Sequence, residues 1–172
     1  MRADFFSTKV ENFDLYTISF KGLSLGSHLF DWKINGQFFS MYEKSEISDA
    51  CVEVQVTLVK HTRFMELYLV LTGWVEVACS RCLDPLKLDI ASETKMYIEF
   101  GSHSVADETD DNDVIVLSYG EDKLNMSQYI YEYAHLNLPI RRIHPDDDNG
   151  QRTCNAEMIG KLEQFLVKSN NT

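Results

Sequence analysis

The stretch Ala50-Cys51-Val52-Glu53-Val54-Gln55-Val56-Thr57-Leu58 alternates apolar and polar side chains without a break. Successive side chains of a β-strand point to opposite faces, so the pattern describes a strand with one face in a core and the other in water. His61-Thr62-Arg63 reads as a turn, after which Leu67, Leu69 and Leu71 repeat the alternation. Gly73 interrupts this second run before Trp74 to Cys79 resumes it, which marks a candidate bulge or bend. Past Asp84-Pro85, the even positions Leu86, Leu88, Ile90, Met96, Ile98 and Phe100 are apolar, while Lys87, Asp89, Glu93, Lys95 and Glu99 fill odd positions. Parity kept from residue 86 to residue 100 is long for a flat strand. It predicts one strongly curved strand, or two strands broken near Ala91-Ser92. Together the three segments imply an antiparallel meander. The expected fold class is α+β, with a curved, mostly antiparallel, partly barrel-like sheet and two helices near the C-terminus.

Upstream of the meander, Phe13 to Phe20 mixes aromatic and β-branched residues and stops at Lys21-Gly22, as a first strand would. Between Leu29 and Tyr42 the residues Trp32, Phe38, Phe39 and Tyr42 fit neither period, and a short irregular helix or an open loop suits them equally. Downstream, residues 101–113 include the run Asp107-Glu108-Thr109-Asp110-Asp111-Asn112-Asp113, too polar and self-repelling to pack, and are expected to form a mobile loop. Val114 to Leu117 supplies one more short strand. Asn125 followed by Gln128 resembles a capping box, and Met126, Ile130, Tyr133 and Ala134 have helical spacing before Pro139, which predicts a helix over 126–136. Asn155 is placed to cap a second helix whose apolar face is Ile159, Leu162 and Leu166. The intervening Ile140 to Cys154 should drape over the surface. No internal repeat is apparent, and one domain over residues 1–172 is expected.

The chain of 172 residues is 44% hydrophobic with only 8 Gly and 3 Pro, enough to bury an ordinary core without disulfides. No window approaches the roughly 18 apolar residues that span a bilayer, and Met1 to Val10 carries Asp4 and lacks a basic segment followed by an apolar run. A cytoplasmic protein with no membrane partner and reduced thiols is therefore expected. The formal net charge of -11 repels phosphate backbones, so contact with RNA should be indirect or confined to a local basic patch. The same charge attracts basic proteins, ribosomal proteins among them.

The sharpest local feature is Cys79-Ser80-Arg81-Cys82, followed by Leu83-Asp84-Pro85 between two strands. Two thiolates at this spacing can converge on one zinc ion at about 2.3 Å, but they make only half a site. The other ligands would have to be His144 and Cys154, or come from a second chain. A metal-free turn is the blander reading. Redox catalysis is disfavoured because no helix follows the pair to lower a thiol pKa. The acidic run could be imagined as a two-metal nuclease centre, yet consecutive Asp residues in a loop point in all directions, and a solvated loop is the simpler account. Arg141-Arg142 is the one compact basic spot in the second half. It suits contact with an RNA phosphate, or neutralisation of Asp146, Asp147 and Asp148. No nucleophile elbow, Gly-rich phosphate loop or dinucleotide fingerprint is present.

The ordered features Gly73-Trp74-Val75-Glu76-Val77-Ala78-Cys79-Ser80-Arg81-Cys82-Leu83, a strand-rich stretch, an acidic gap and a helix running through Glu132 to Leu136-Asn137-Leu138-Pro139 resemble the YceD family. The resemblance covers roughly residues 22 to 162. It implies a non-enzymatic protein supporting accumulation and processing of 23S ribosomal RNA and assembly of the large ribosomal subunit, acting by binding. No catalytic residue is implied. Many members carry a C-x-x-D-C-x-G-L-C tail able to complete a zinc site with the first pair; in this chain that tail is reduced to His144 through Cys154. Joined with the charge, the resemblance suggests a basic large-subunit protein or assembly factor as partner. The expected docking residues are Asp107, Glu108, Asp110, Asp111, Asp113, Asp146, Asp147 and Asp148. Rival readings are a zinc- or thiol-dependent enzyme, recognised by a general base beside Cys79 and Cys82 in a cleft, and a direct RNA-binding module, recognised by a Lys and Arg face.

Overall fold

The alternation at 50–58 is the middle of a strand of 14 residues, β3 (Ile47–Lys60), whose even positions are buried almost throughout. The structure, a computed structural model, describes residues 13–101, 113–151 and 153–169. In chain order the remaining elements are β1 (Thr17–Ser19), β2 (Gly26–Asn35), α1 (Gly36–Ser40), β4 (Phe64–Ala78), β5 (Pro85–Phe100), β6 (Asp113–Leu117), β7 (Lys123–Asn125), α2 (Ser127–Leu136) and α3 (Ala156–Ser169). Strands β2 to β5 form the expected meander, each antiparallel to the next. The parity over 86–100 belongs to one unbroken strand that pairs with β4 from Pro85 to Glu99.

Several features of the fold differ from those expected. Strand β6 lies parallel to β5, with Asp113 opposite Met96, so the five-stranded sheet is mixed. It does not close like a barrel, because β2 and β6 stand at opposite ends of the order β2-β3-β4-β5-β6. Of the span from Leu29 to Tyr42, for which a short irregular helix or an open loop was expected, Gly36–Ser40 is a short helix, whereas Leu29 to Asn35 belong to the strand β2. His28, Phe30, Trp32 and Ile34 do alternate, but Leu29 on the other face obscures the period. The first strand shrinks to Thr17–Ser19, paired with β7 in a separate two-stranded sheet. The two helices expected near the C-terminus are formed, and α1 is a third among the described residues. The run from Asp107 to Asn112 lies outside the described residues, while Asp113 opens β6.

Gly73 is not a bulge. Strand β4 passes through it with Val52 and Ile90 as partners on either side, and the register shift of β3 against β4 falls between Ile47 and Asp49. Its φ of 151° and the close approach of β3 explain why glycine stands there.

One face of the sheet carries the core. Val52, Val54, Val56, Leu58, Leu67, Leu69, Leu71, Met96 and Ile98 are buried against Phe38 and Phe39 of α1, Ile18 of β1, Leu124 of β7 and Ile130 and Ala134 of α2. Each fully buried aliphatic side chain of this kind contributes about 1.5–3 kcal/mol. Helix α2 starts differently from the capping box expected. Asn125 Oδ1 accepts hydrogen bonds from the Ser127 N–H and hydroxyl, whereas Gln128 reaches forward to Glu132 rather than back to Asn125. The packing of its apolar face follows the expectation: Ile130 and Ala134 are fully buried, and Tyr133 and Leu138 pack against the same cluster. Ile130→Asp places an unpaired carboxylate in that cluster and should cost about 3–5 kcal/mol. Thermal melting of the variant checks this; an unchanged midpoint would refute the packing.

Candidate metal centre

Strand β4 delivers Cys79 to the end of the sheet, and the connection to β5 folds back at once. The Cys79 N–H donates to Asp84 O at 2.9 Å, and the Leu83 N–H donates to Cys79 O at 2.9 Å. The reversal needs a left-handed residue, and Leu83 supplies it with φ 64°. As expected, the pair sits in a tight turn joining two strands. A leucine in this conformation is strained by about 1–2 kcal/mol, and its side chain is 67% exposed, so packing returns little. Leu83→Gly should therefore leave stability unchanged or raise it by up to about 1 kcal/mol, after the extra unfolded-state entropy of glycine is subtracted. Urea denaturation is the check. A loss larger than about 1 kcal/mol would mean that the exposed side chain is held by contacts of its own.

The second half of the site arrives on the segment that was expected to drape over the surface. The Ser80 N–H donates to Arg142 O at 2.6 Å and fixes the chain just before His144. The following loop is closed by its own polar groups. Asp147 Oδ1 accepts from the N–H groups of Asn149 and Gln151 at 2.9 and 2.7 Å, and the Thr153 hydroxyl donates to Pro145 O at 2.6 Å. These bonds return the chain to place Cys154 beside His144, and Asn155 then caps α3 by accepting from Glu157 N–H at 3.1 Å.

Cys79, Cys82, His144 and Cys154 thus converge, with their ligand atoms all within 4.8 Å of one another. Cys79 Sγ lies 4.0 Å from Cys154 Sγ, and His144 Nδ1 lies 3.4 Å from Cys82 Sγ and 3.9 Å from Cys154 Sγ. The edges of a zinc tetrahedron with Zn–S of about 2.3 Å and Zn–N of about 2.0 Å are about 3.5–3.8 Å, so the four atoms already stand near the right separation. The imidazole is oriented for this role. His144 Nε2 lies 3.1 Å from Pro85 O, which can only accept, so the proton sits on Nε2 and the Nδ1 lone pair faces the sulfurs.

Electrostatics point the same way. Burial opposes a thiolate at Cys79, but the backbone N–H groups of Cys82, Arg81 and His144 and the Cys82 thiol outweigh it and draw the pKa down to about 6. At Cys154, burial and the neighbouring Cys79 and Cys82 sulfurs push the pKa up, the behaviour of one thiol too many around a shared negative charge. A divalent cation relieves that conflict. Three thiolates and a neutral imidazole around zinc leave one net negative charge, and Arg81 stands 3.9 Å from Cys154 Sγ to offset it. All four cysteines are free, and Cys51 is exposed and apart from the cluster.

The remaining candidate residues are not drawn into this site. Arg142 pairs with Glu46 at 2.6 Å rather than with Asp146, Asp147 or Asp148, and its side chain is only 22% exposed, which leaves Arg141 as the open guanidinium of the two. Asp146 and Asp148 are exposed, whereas the Asp147 carboxylate holds its own loop together. Asp107, Glu108, Asp110 and Asp111 lie outside the described residues. Ile143 and Met158, which sequence reasoning missed, and Ile159, which it placed on the apolar face of the last helix, pack against Cys79, Cys82, Leu86 and Cys154 and seal the cluster. The apolar Ile143 between Arg142 and His144 was the available signal.

Among the described residues, no helix is long and apolar enough to cross a membrane. A family model described as large ribosomal RNA subunit accumulation protein YceD matches residues 67–164, a span that includes all four residues of the cluster. No curated protein and no solved structure matches the chain.

Proposed function

The chain belongs to the YceD family, and from that membership we propose that it is a non-catalytic, cytoplasmic factor that supports accumulation of 23S ribosomal RNA by assisting large-subunit assembly. The family match over residues 67–164 is the observation that carries this reading. The Cys79, Cys82, His144, Cys154 cluster holds structural zinc in it. Four protein ligands close a tetrahedral ion, and the Cys79 and Cys82 side chains have 0% and 1% exposure, so no coordination position is left for substrate. The zinc pins His144 to Cys154, and through them α3, to the end of the sheet.

The partner in this reading is a basic large-subunit protein or assembly factor, with ribosomal RNA protected indirectly. Residues 101–172 hold 13 acidic and 6 basic side chains, a stronger imbalance than in residues 1–100. Exposed charges of this kind act mainly on association rate, and salt weakens the effect. The test is depletion of the protein, with subunit sedimentation and large-subunit ribosomal RNA as the readout, and rescue by two forms of the chain. The unaltered chain should restore RNA levels. A chain with Asp107, Glu108, Asp110, Asp111, Asp113, Asp146 and Asp148 changed to Asn or Gln should capture ribosomal proteins more slowly and rescue poorly. Full rescue at an unchanged capture rate would discard these acids as the docking surface. Depletion without any change in the large subunit would discard the function.

A further inference from the structure

At the end of the sheet opposite the cysteines, three loops meet around a concavity of about 540 Å³ lined by Phe20, Lys21, Lys60, Thr62, Arg63, Phe100, Tyr119 and Glu121. Arg63 immediately precedes β4 and Cys79 immediately follows it, so at about 3.3 Å per residue the two sites are roughly 50 Å apart. The chemistry of this lining departs from that of the rest of the molecule. In a chain of net charge -11, three cations and one carboxylate surround three aromatic rings.

The arrangement is built by tertiary contacts. Lys60 Nζ donates to the carbonyl oxygens of Phe20, Lys21 and Leu23 at 2.9, 3.4 and 2.8 Å. Its three protons are thereby used, and it serves as a fixed positive charge that clamps the 20–23 segment against the sheet and sets Lys21 beside the hairpin carrying Arg63. Lys21 and Arg63 are exposed, and neither forms an ion pair with a described residue. The Phe20 and Phe100 rings lie 5.7 Å apart as the apolar floor. Tyr119 stands in the turn closed by the Glu121 N–H donating to Ser118 O at 2.9 Å, and it is 81% exposed. A tyrosine held on a hydrogen-bonded turn with most of its ring in water is a platform without a described neighbour to stack on it.

We propose that this concavity binds a nucleotide unit, with the base stacked on Tyr119 over the Phe100 edge and the phosphate held by Arg63 and Lys21. Single-stranded nucleic-acid sites combine these two elements, a cationic track for phosphate and aromatic faces for bases, and the volume is within the range of pockets that hold small ligands. Because the site is small and local, it avoids the objection that an acidic chain repels RNA. It adds one point of RNA contact to a protein whose other surfaces attract basic partners. The ligand chemistry is a phosphate with an attached aromatic base, supplied by a single-stranded RNA segment or by a free nucleotide.

Fluorescence anisotropy with a labelled single-stranded RNA dodecamer, competed by uridine or adenosine monophosphate or by inorganic phosphate, tests the assignment. Tyr119→Ala should weaken dodecamer binding about tenfold. Arg63→Glu should weaken it similarly and reduce the slope of log affinity against log salt by about one. Lys161→Glu, an exposed change on α3 far from the concavity, should leave both quantities unchanged. All three positions are at the surface, and circular dichroism reads retention of the fold. Competition by the monophosphates at concentrations near the dodecamer affinity assigns the site to free nucleotide; competition only by RNA assigns it to the strand. The proposal is overturned if neither RNA nor monophosphate binds, if inorganic phosphate competes as well as the nucleotides, or if Tyr119→Ala and Arg63→Glu bind as the unaltered chain does.

Discussion

Gly73→Ala is expected to be among the most damaging single substitutions in the protein, lowering stability by about 4 kcal/mol or more and the melting temperature by about 10–15 °C. Gly73 lies at the centre of β4, between Val52 of β3 and Ile90 of β5. A Cβ at this position would collide with Cys51 O and stand 2.9 Å from Val52 Cα. Both are backbone atoms in the middle of paired strands, so neither can give way as a flexible side chain would. Its φ of 151° adds a second cost, because L side chains rarely adopt it. Relief would require parting β3 from β4 where Val52, Val54 and Leu71 pack. Gly22→Ala is the matched control, since nothing lies within 4 Å of its added Cβ; it should change stability by no more than about 1 kcal/mol. If the two variants melt together, the close approach at Gly73 is not real.

The second large effect concerns metal. Protein purified without a metal-binding tag is expected to carry about one zinc per chain, and Cys82→Ser should abolish it, because a hydroxyl is a poor substitute for a thiolate. Structural zinc supplies about 10–16 kcal/mol of apparent binding energy in small zinc peptides. Here the main core and the cysteine cluster are separate groups of buried residues, with the partly buried Leu88 packed against both, so the loss should appear regionally. Among the described side chains of α3, Met158 and Ile159 pack on the buried cysteines and Leu86. Chelation or Cys82→Ser should therefore expose residues 141–169 to protease and hydrogen exchange while the strands remain protected. Cys51→Ser, which alters an exposed cysteine outside the cluster, should retain the metal. The pH dependence has a defined sign. The Cys79 thiol is lowered on folding from 9.0 to about 6, so its ionisation favours the folded arrangement fully above about pH 9 and ceases to do so as pH falls through about 6. Zinc needs the thiolates, so it should be retained at neutral pH and released as the solution is made acidic and protons compete for the sulfurs. Elemental analysis across that range decides the matter. Metal-free protein with an equally protected C-terminal region would sink the structural-zinc reading.

The meander was legible because its information is local. In β3, β4 and β5 a period of two over 14 to 16 residues states which face is buried whatever the partner strand. The cysteine turn was legible for the same reason, since alternation reaches Cys79 from one side and resumes at Leu86 on the other. Strand β2 was less so, because Leu29 on its outer face blurred the alternation of Phe30, Trp32 and Ile34. The parallel placement of β6 was not written in Val114 to Leu117 at all. A strand of five residues has the same pattern in either direction, and only packing against β5 chooses.

The strands of the meander, the turn at Cys79 and Cys82 and the family to which they belong could be read from local pattern, and His144 and Cys154 could be named as the residues able to complete a site. Folding alone brought these four ligand atoms together. That outcome depends on the local Asp147 turn together with the Ser80 to Arg142 hydrogen bond and the seal of Ile143, Met158 and Ile159 on the cysteines of the β4–β5 turn, which join segments distant in the chain. It likewise decided that Arg142 belongs to Glu46, 96 residues away, and that Lys21, Arg63 and Tyr119 share one concavity. Period and propensity act over one or two turns of chain, whereas a site is made by the folding together of distant segments, whose pairing no local pattern encodes.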